Sequence, residues 1–302
     1  MLILHLLNNI STMFQNAYSL ASRYTQPFII TMRFFDGSVE SGLGSFVVIN
    51  KDGWGMTAAH NFGVVFSHNQ HQVEMKAYHD SMNLINASQQ LNEQEKEDQR
   101  RMLQPNPKWI TQYSIFLGGS MVNIHENYIH GEHDIAFFKM DASAINPQTI
   151  FPKIKNHKNI SPGISLCKLG FPFVEFRASY DINVNQFVLP PNLLPIPLFP
   201  IEGIYTRNFF KGKSQDGLDI LFLETSSPGL KGQSGGPLFD KEGVVYAIQS
   251  QNLTIPLGFT GTAHINGQGI EENQFLNLGI GVHPKTLEAL LNKYGIQYEK
   301  AE

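Results

Sequence analysis

Gly232-Gln233-Ser234-Gly235-Gly236-Pro237-Leu238 is the stretch on which the reading of this chain turns. Glycines on both sides of a serine let the backbone turn tightly and bring amide N–H groups up beside the hydroxyl. The N–H groups expected there, from Gly232 and Ser234, are donors of the kind that acyl-transfer chemistry aims at a developing oxyanion. Serine alone is a weak nucleophile near neutral pH and needs a base to take its proton. Upstream, Met56-Thr57-Ala58-Ala59-His60 supplies a histidine, and His133-Asp134-Ile135-Ala136 supplies a carboxylate to orient it. A buried aspartate in that role holds the imidazole in one tautomer and stabilises its charged form. Each element alone is weak evidence; the three in order are strong.

The composition leaves room for this reading and closes off others. A chain of 302 residues is long enough for two cores of ordinary size. The net charge of -4 and the absence of a basic run speak against a nucleic-acid partner. Cys167 is the one cysteine, so no internal disulfide can form, which fits a reducing compartment. It stands in an apolar run and is expected to be a buried small hydrophobe. The apolar start, residues 1–7, lacks a basic flank and is cut short by Asn8-Asn9, so a signal segment is not expected. No stretch approaches the roughly 20 apolar residues of a membrane span. A cytoplasmic location, or export by a non-classical route, is the expectation.

Short apolar runs separated by turn signals dominate the chain and predict an all-β architecture. One group of strands carries His60 and Asp134; a second, beginning near Ile164, carries Ser234. Two β-barrels with a cleft between them follow from that division. Helical spacing in residues 11–24 predicts an N-terminal helical segment, residues 1–25, packed on the body. Residues 26–155 are assigned to the first barrel and 156–302 to the second. Residues 70–103, poor in β-branched side chains, predict a helical insertion with a solvated, charge-alternating face. Pro284 opens a closing helix.

The resemblance extends beyond the three residues. Gly42-Leu43-Gly44-Ser45-Phe46-Val47, Gly170-Phe171-Pro172-Phe173 and Gly281-Val282-His283-Pro284 lie where strands and turns of the trypsin-fold serine peptidases would have them. The sequence is similar to that family, in particular to its HtrA-like bacterial members without their PDZ domain. The likeness implies two six-stranded barrels, with an N-terminal helix, a helical insertion in the first and a C-terminal helix. It implies a serine protease acting through His60, Asp134 and Ser234, with the Gly232 and Ser234 N–H groups as oxyanion hole. By family position, Ser250 would support Asp134, and Pro228, Ala247 and Gln249 would belong to the substrate pocket. Trypsin-like peptidases that prefer lysine or arginine carry an acidic residue where this chain has Pro228, so uncharged or small polar side chains are expected instead. Such chemistry needs no cofactor or metal, and none is expected. The expected partner is a protein or peptide substrate, cleaved internally along an open cleft. Residues 174–202 are proline-rich and apolar, and 252–276 also read as an enlarged loop. An activating partner at residues 189–199 is therefore expected.

Two other readings stay open at this stage. Gly232 to Gly236 also satisfies the nucleophile elbow of α/β-hydrolase esterases, with His264 or His283 as a downstream base. That motif needs a helix after the serine, whereas Pro237-Leu238-Phe239 reads as a strand. The chain could instead be a catalytically silent binding module, since fold alone does not imply activity. His130, Glu132 and His133 cluster in sequence but meet none of the helical zinc spacings.

Overall fold

The computed structural model describes residues 13–265 and 268–302, with the side chains of 262–272 outside that description. The apolar start at 1–7 and the side chain of His264, the alternative base, lie outside the described part. Helix α1 (Gln15–Tyr24) buries Ala17, Ala21 and Tyr24 along one stripe and runs straight into β1 (Thr25–Phe34). Asp36 accepts from the Ser38 N–H at 2.8 Å, closing the turn that sends the chain back as β2 (Val39–Val48). Then come β3 (Trp54–Thr57), the helices α2 (Gly63–Ala87) and α3 (Glu93–Met102), β4 (Ile110–Leu117), β5 (Ser120–Met121), β6 (Ile124–His130) and β7 (Ile135–Met140). The seven strands make one curled sheet in the order β5-β4-β1-β2-β3-β7-β6. Phe28, Phe46, Phe62 and Phe138 fill it, their rings meeting edge to face or tilted at 5.2 to 6.5 Å. Each such ring contributes on the order of 1.5–3 kcal/mol by leaving water.

The insertion begins earlier than its sequence suggested. Helix α2 starts at Gly63, directly after the turn that carries His60, and breaks only at Ser88. Asn92 then opens α3 with a reciprocal capping box to Glu95, and no residue of α3 is buried. Its stability rests on local pairs such as Lys96–Glu93 and Arg101–Glu97, in keeping with the solvated face expected for it.

The second sheet contains β8 (Lys153–Lys155), β9 (Ser165–Gly170), β12 (Phe199–Lys213), β13 (Asp219–Thr225), β14 (Pro237–Phe239), β15 (Val245–Ile265), β16 (Gln268–Val282) and β17 (Glu299–Ala301). A small hairpin of β10 (Ser179–Asp181) and β11 (Gln186–Val188) stands apart. Because β14 pairs with both β9 and β15, the order β14-β9-β12-β13-β16-β15 closes on itself as a six-stranded barrel. Strand β8, assigned by sequence to the first barrel, pairs instead with β15 and β17 of the second. Helix α4 (Pro284–Lys293) buries Leu287, Leu290 and Leu291 in a core that also holds Val47, Met56 and Phe137 of the first sheet and Leu169 and Phe222 of the second. That shared core holds the two sheets together.

Of the two expected loops, one is mostly strand and the other remains largely irregular. Residues 252–265 and 268–276 form most of a long antiparallel ribbon, with Leu253 opposite Leu278 and Pro256 opposite Phe275. Thr254, Ile255 and Thr260 favour extended backbone and outweigh the glycines and prolines that suggested a loop. Most of residues 189–199 is exposed, Leu194 and Phe199 included, but Ile196 is buried against Ile29, Phe116 and Phe171, with Leu189, Leu193 and Leu198 partly buried beside it. So dense a set of apolar side chains covers the nearest apolar surface, here its own first barrel.

Candidate active site

Strand β3 sits between β2 and β7, so the residues that follow it and those that precede β7 emerge side by side. The first are the turn Ala59–Phe62, with His60 half exposed; the second end in Asp134. Asp134 has φ 48, a left-handed conformation uncommon outside glycine, which turns its carboxylate back toward His60. His60 Nδ1 lies 3.0 Å from each carboxylate oxygen, and the His60 backbone N–H donates to Oδ1 at 3.0 Å. The Ser250 hydroxyl, arriving on β15, donates to Oδ2 at 2.5 Å. Burial pushes the Asp134 carboxyl up, but the His60 ring, its charge and backbone N–H, and the Ser250 hydroxyl outweigh that and hold it below its ordinary 3.8. An ionised carboxylate at Nδ1 fixes the proton there and leaves Nε2 as the basic nitrogen.

Ser234 lies on a turn before β14. Gly232 has φ 98, and a side chain there would come within 2.3 Å of the Phe171 carbonyl, so only glycine fits. Among the described residues, neither the Gly232 nor the Ser234 N–H donates to another group of the protein. The Ser234 hydroxyl donates to the Ser250 carbonyl at a long 3.4 Å, and no hydrogen bond joins it to the His60 ring.

Three residues that sequence reasoning missed hold this turn. The Ser45 hydroxyl donates to the Gly232 carbonyl at 2.7 Å, and the Ser45 N–H donates to the Ser234 carbonyl at 2.8 Å. Asn61, next to His60, donates to the same Ser234 carbonyl at 3.1 Å and to Thr57 Oγ1 at 2.8 Å. Gln233 is fully buried; its Oε1 accepts from the Leu230 N–H at 2.9 Å and its Nε2 donates to the Phe199 carbonyl at 3.0 Å. Each is a polar residue inside or beside a quoted motif, and that adjacency was the available signal.

The pocket residues expected by family position fare unevenly. Pro228 is partly buried just upstream of the Ser234 turn. Gln249 is buried, its Nε2 donating to the Gln251 carbonyl at 3.0 Å. Ala247 is wholly buried among Leu166, Tyr205, Leu223 and Leu238. His283 is spent as the cap of α4, accepting from the Lys285 N–H, and burial pulls its imidazole down to about 4. On the other flank of Gly232, a groove of about 420 Å³ runs past Gly42, Phe171, Phe173 and Phe176.

Comparison with known proteins agrees with the fold. The model of the trypsin-like peptidase domain family matches residues 44–248. Similar solved structures include the HtrA-type protease AlgW with tripeptide, 17% identical at a TM-score of 0.47, covering 93% of this chain and 64% of that one. The HtrA-type protease AlgW with decapeptide is 14% identical at a TM-score of 0.48, covering 93% of this chain and 66% of that one. This chain thus spans less than two thirds of the length of either. No match to a curated protein was found.

Proposed function

This chain belongs to the trypsin-like peptidase family, a family of serine protease hydrolases, and we propose that it is a serine endopeptidase working through His60, Asp134 and Ser234. The observation that carries the proposal is the His60–Asp134–Ser250 network beside a serine whose loop leaves the Gly232 and Ser234 N–H groups free. Ser234 Oγ attacks the scissile carbonyl while His60 Nε2 takes its proton. The two N–H groups receive the oxyanion. His60 then returns the proton to the leaving amine, and water, deprotonated in its turn by His60, releases the acyl group from Ser234.

Regulated activation belongs to the same reading. Gln233 ties the turn that carries the oxyanion donors to Phe199, the end of the packed segment 189–199. A partner that lifts or tightens that segment would act on the donors through this one bond. The groove beside Gly232 supports a peptide or protein substrate with apolar residues after the scissile bond. Among the described residues no helix is long and apolar enough to cross a membrane. A cytoplasmic setting, or non-classical export, is proposed on the lone cysteine, Cys167, whose thiol burial pushes up to about 12.

The hydroxyl of Ser234 bonded to Ser250 rather than His60 favours one second reading, a silent binding module. Catalytic hydrogen bonds in free enzymes are often loose and tighten only on substrate. A fluorophosphonate probe separates the two: labelling of the wild type that is lost in Ser234→Ala supports the peptidase, and an unlabelled wild type supports the binding module.

A further inference from the structure

Lys168 is a buried ammonium of the second barrel whose chemistry the proposed reaction does not use. It stands two positions from Leu166 on β9, hence on the same inward face, and is 1% exposed. Its ammonium donates to the Ser227 carbonyl at 2.8 Å and to the Ser227 hydroxyl at 2.6 Å. An ammonium has three donors, and the third has no acceptor among the described residues. No carboxylate pairs with it there either, and burial pulls it down to about 7, against the weak opposing influence of Cys167. A buried cation without a counter-ion is costly.

Its surroundings define the use. Ser227 leads directly into Pro228 and Gly229, the segment expected to floor the substrate pocket. A side chain at Gly279 would lie 2.6 Å from the Ser227 carbonyl, 2.7 Å from Thr225 Oγ1 and 2.8 Å from Lys168 Cε, so only glycine lets β16 pass this close to the lysine. Gly279 is paired with Asn252, two residues beyond Ser250, whose carbonyl receives the Ser234 hydroxyl. The Asn252 side chain crosses to Gly229, donating to its carbonyl and accepting from its N–H at 2.7 Å each. An entering side chain must displace that clasp, and an ion pair behind it supplies the compensating gain that a neutral side chain lacks.

We propose that Lys168 is the specificity-determining residue of this chain, its ammonium receiving an aspartate or glutamate side chain on the residue whose carbonyl Ser234 attacks. This rests on the peptidase reading above and reverses the uncharged preference expected from Pro228. That expectation looked for charge near the serine in sequence, while the cation comes from β9, 59 residues before Ser227.

The test uses the full chain and four fluorogenic peptides differing only in the residue before the scissile bond: Glu, Gln, Asp and Asn. Glu against Gln and Asp against Asn change the charge at nearly constant shape. The wild type is expected to favour each acid over its amide by roughly 10- to 100-fold in kcat/KM, the range of a hydrogen bond to a charged group. In Lys168→Met that ratio is expected to collapse toward unity. Amides cleaved as well as acids by the wild type, or an acid preference that survives Lys168→Met, would overturn the inference. If Lys168→Met does not fold, judged by its circular dichroism, the wild-type ratios alone decide. No Ser234-dependent cleavage of any peptide, together with failed fluorophosphonate labelling, would instead remove the peptidase reading beneath it.

Discussion

The Ser45 hydroxyl and the Gly232 carbonyl meet at 2.7 Å although 187 residues separate them. That bond joins the first sheet to the turn carrying the nucleophile, and it leaves the Gly232 N–H on the other side of the residue free. Ser45→Ala removes it and leaves the Gly232 carbonyl with only the longer bond from the Phe171 N–H at 3.2 Å, at a cost of about 0.5–1.5 kcal/mol. The expected outcome is a lower Tm together with weaker fluorophosphonate labelling. Labelling at the wild-type rate would show that the bond serves stability alone.

Ser234→Ala or His60→Ala is expected to lower peptide turnover by roughly four to six orders of magnitude while leaving the fold intact. Active-site titration with circular dichroism on the same samples checks both halves. Hydrolysis near the wild-type rate in Ser234→Ala would refute the assignment of the nucleophile.

Gln233 touches no reacting atom; it positions the oxyanion donors through Leu230 and Phe199. Gln233→Ala is expected to lower kcat roughly 10- to 1,000-fold with KM little changed, the pattern of a lost transition-state interaction. Gln233→Glu keeps the acceptor for Leu230 and loses the donor to Phe199, so it separates the two contacts. A rise in KM at unchanged kcat would argue against this role.

Asp134 is held below its ordinary 3.8. A carboxylate lowered on folding stabilises the native state fully above its unfolded pKa, and that contribution fades as pH falls through the folded value. The Tm advantage of wild type over Asp134→Asn is therefore expected to be constant from neutral pH down to about 5 and to shrink below about 4. Thermal melts across that range check it, and an advantage that grows toward acid would contradict the direction of the shift.

Deleting residues 189–199 is expected to abolish peptide cleavage through the lost Phe199 anchor, and to lower Tm as Ile196 leaves its place on Phe116 and Phe171. Unchanged turnover on peptide and protein substrates would reduce the segment to a surface cover.

Much was legible in the chain because it is written locally. Strand periodicity, the Asp36-Gly37 turn, the proline opening α4 and the glycines around Ser234 each act within a few residues, where sequence and conformation are directly coupled. The order of His60, Asp134 and Ser234 carried the family likeness for the same reason. Only the tertiary structure decided which distant groups meet. Ser45 and Asn61 hold a turn far along the chain, Gln233 reaches Phe199, Ala247 packs among Leu166, Tyr205 and Leu223, and Lys168 arrives beneath Ser227. Such meetings follow from barrel closure and strand register, which are set by the summed burial of both sheets. No window of sequence contains that sum.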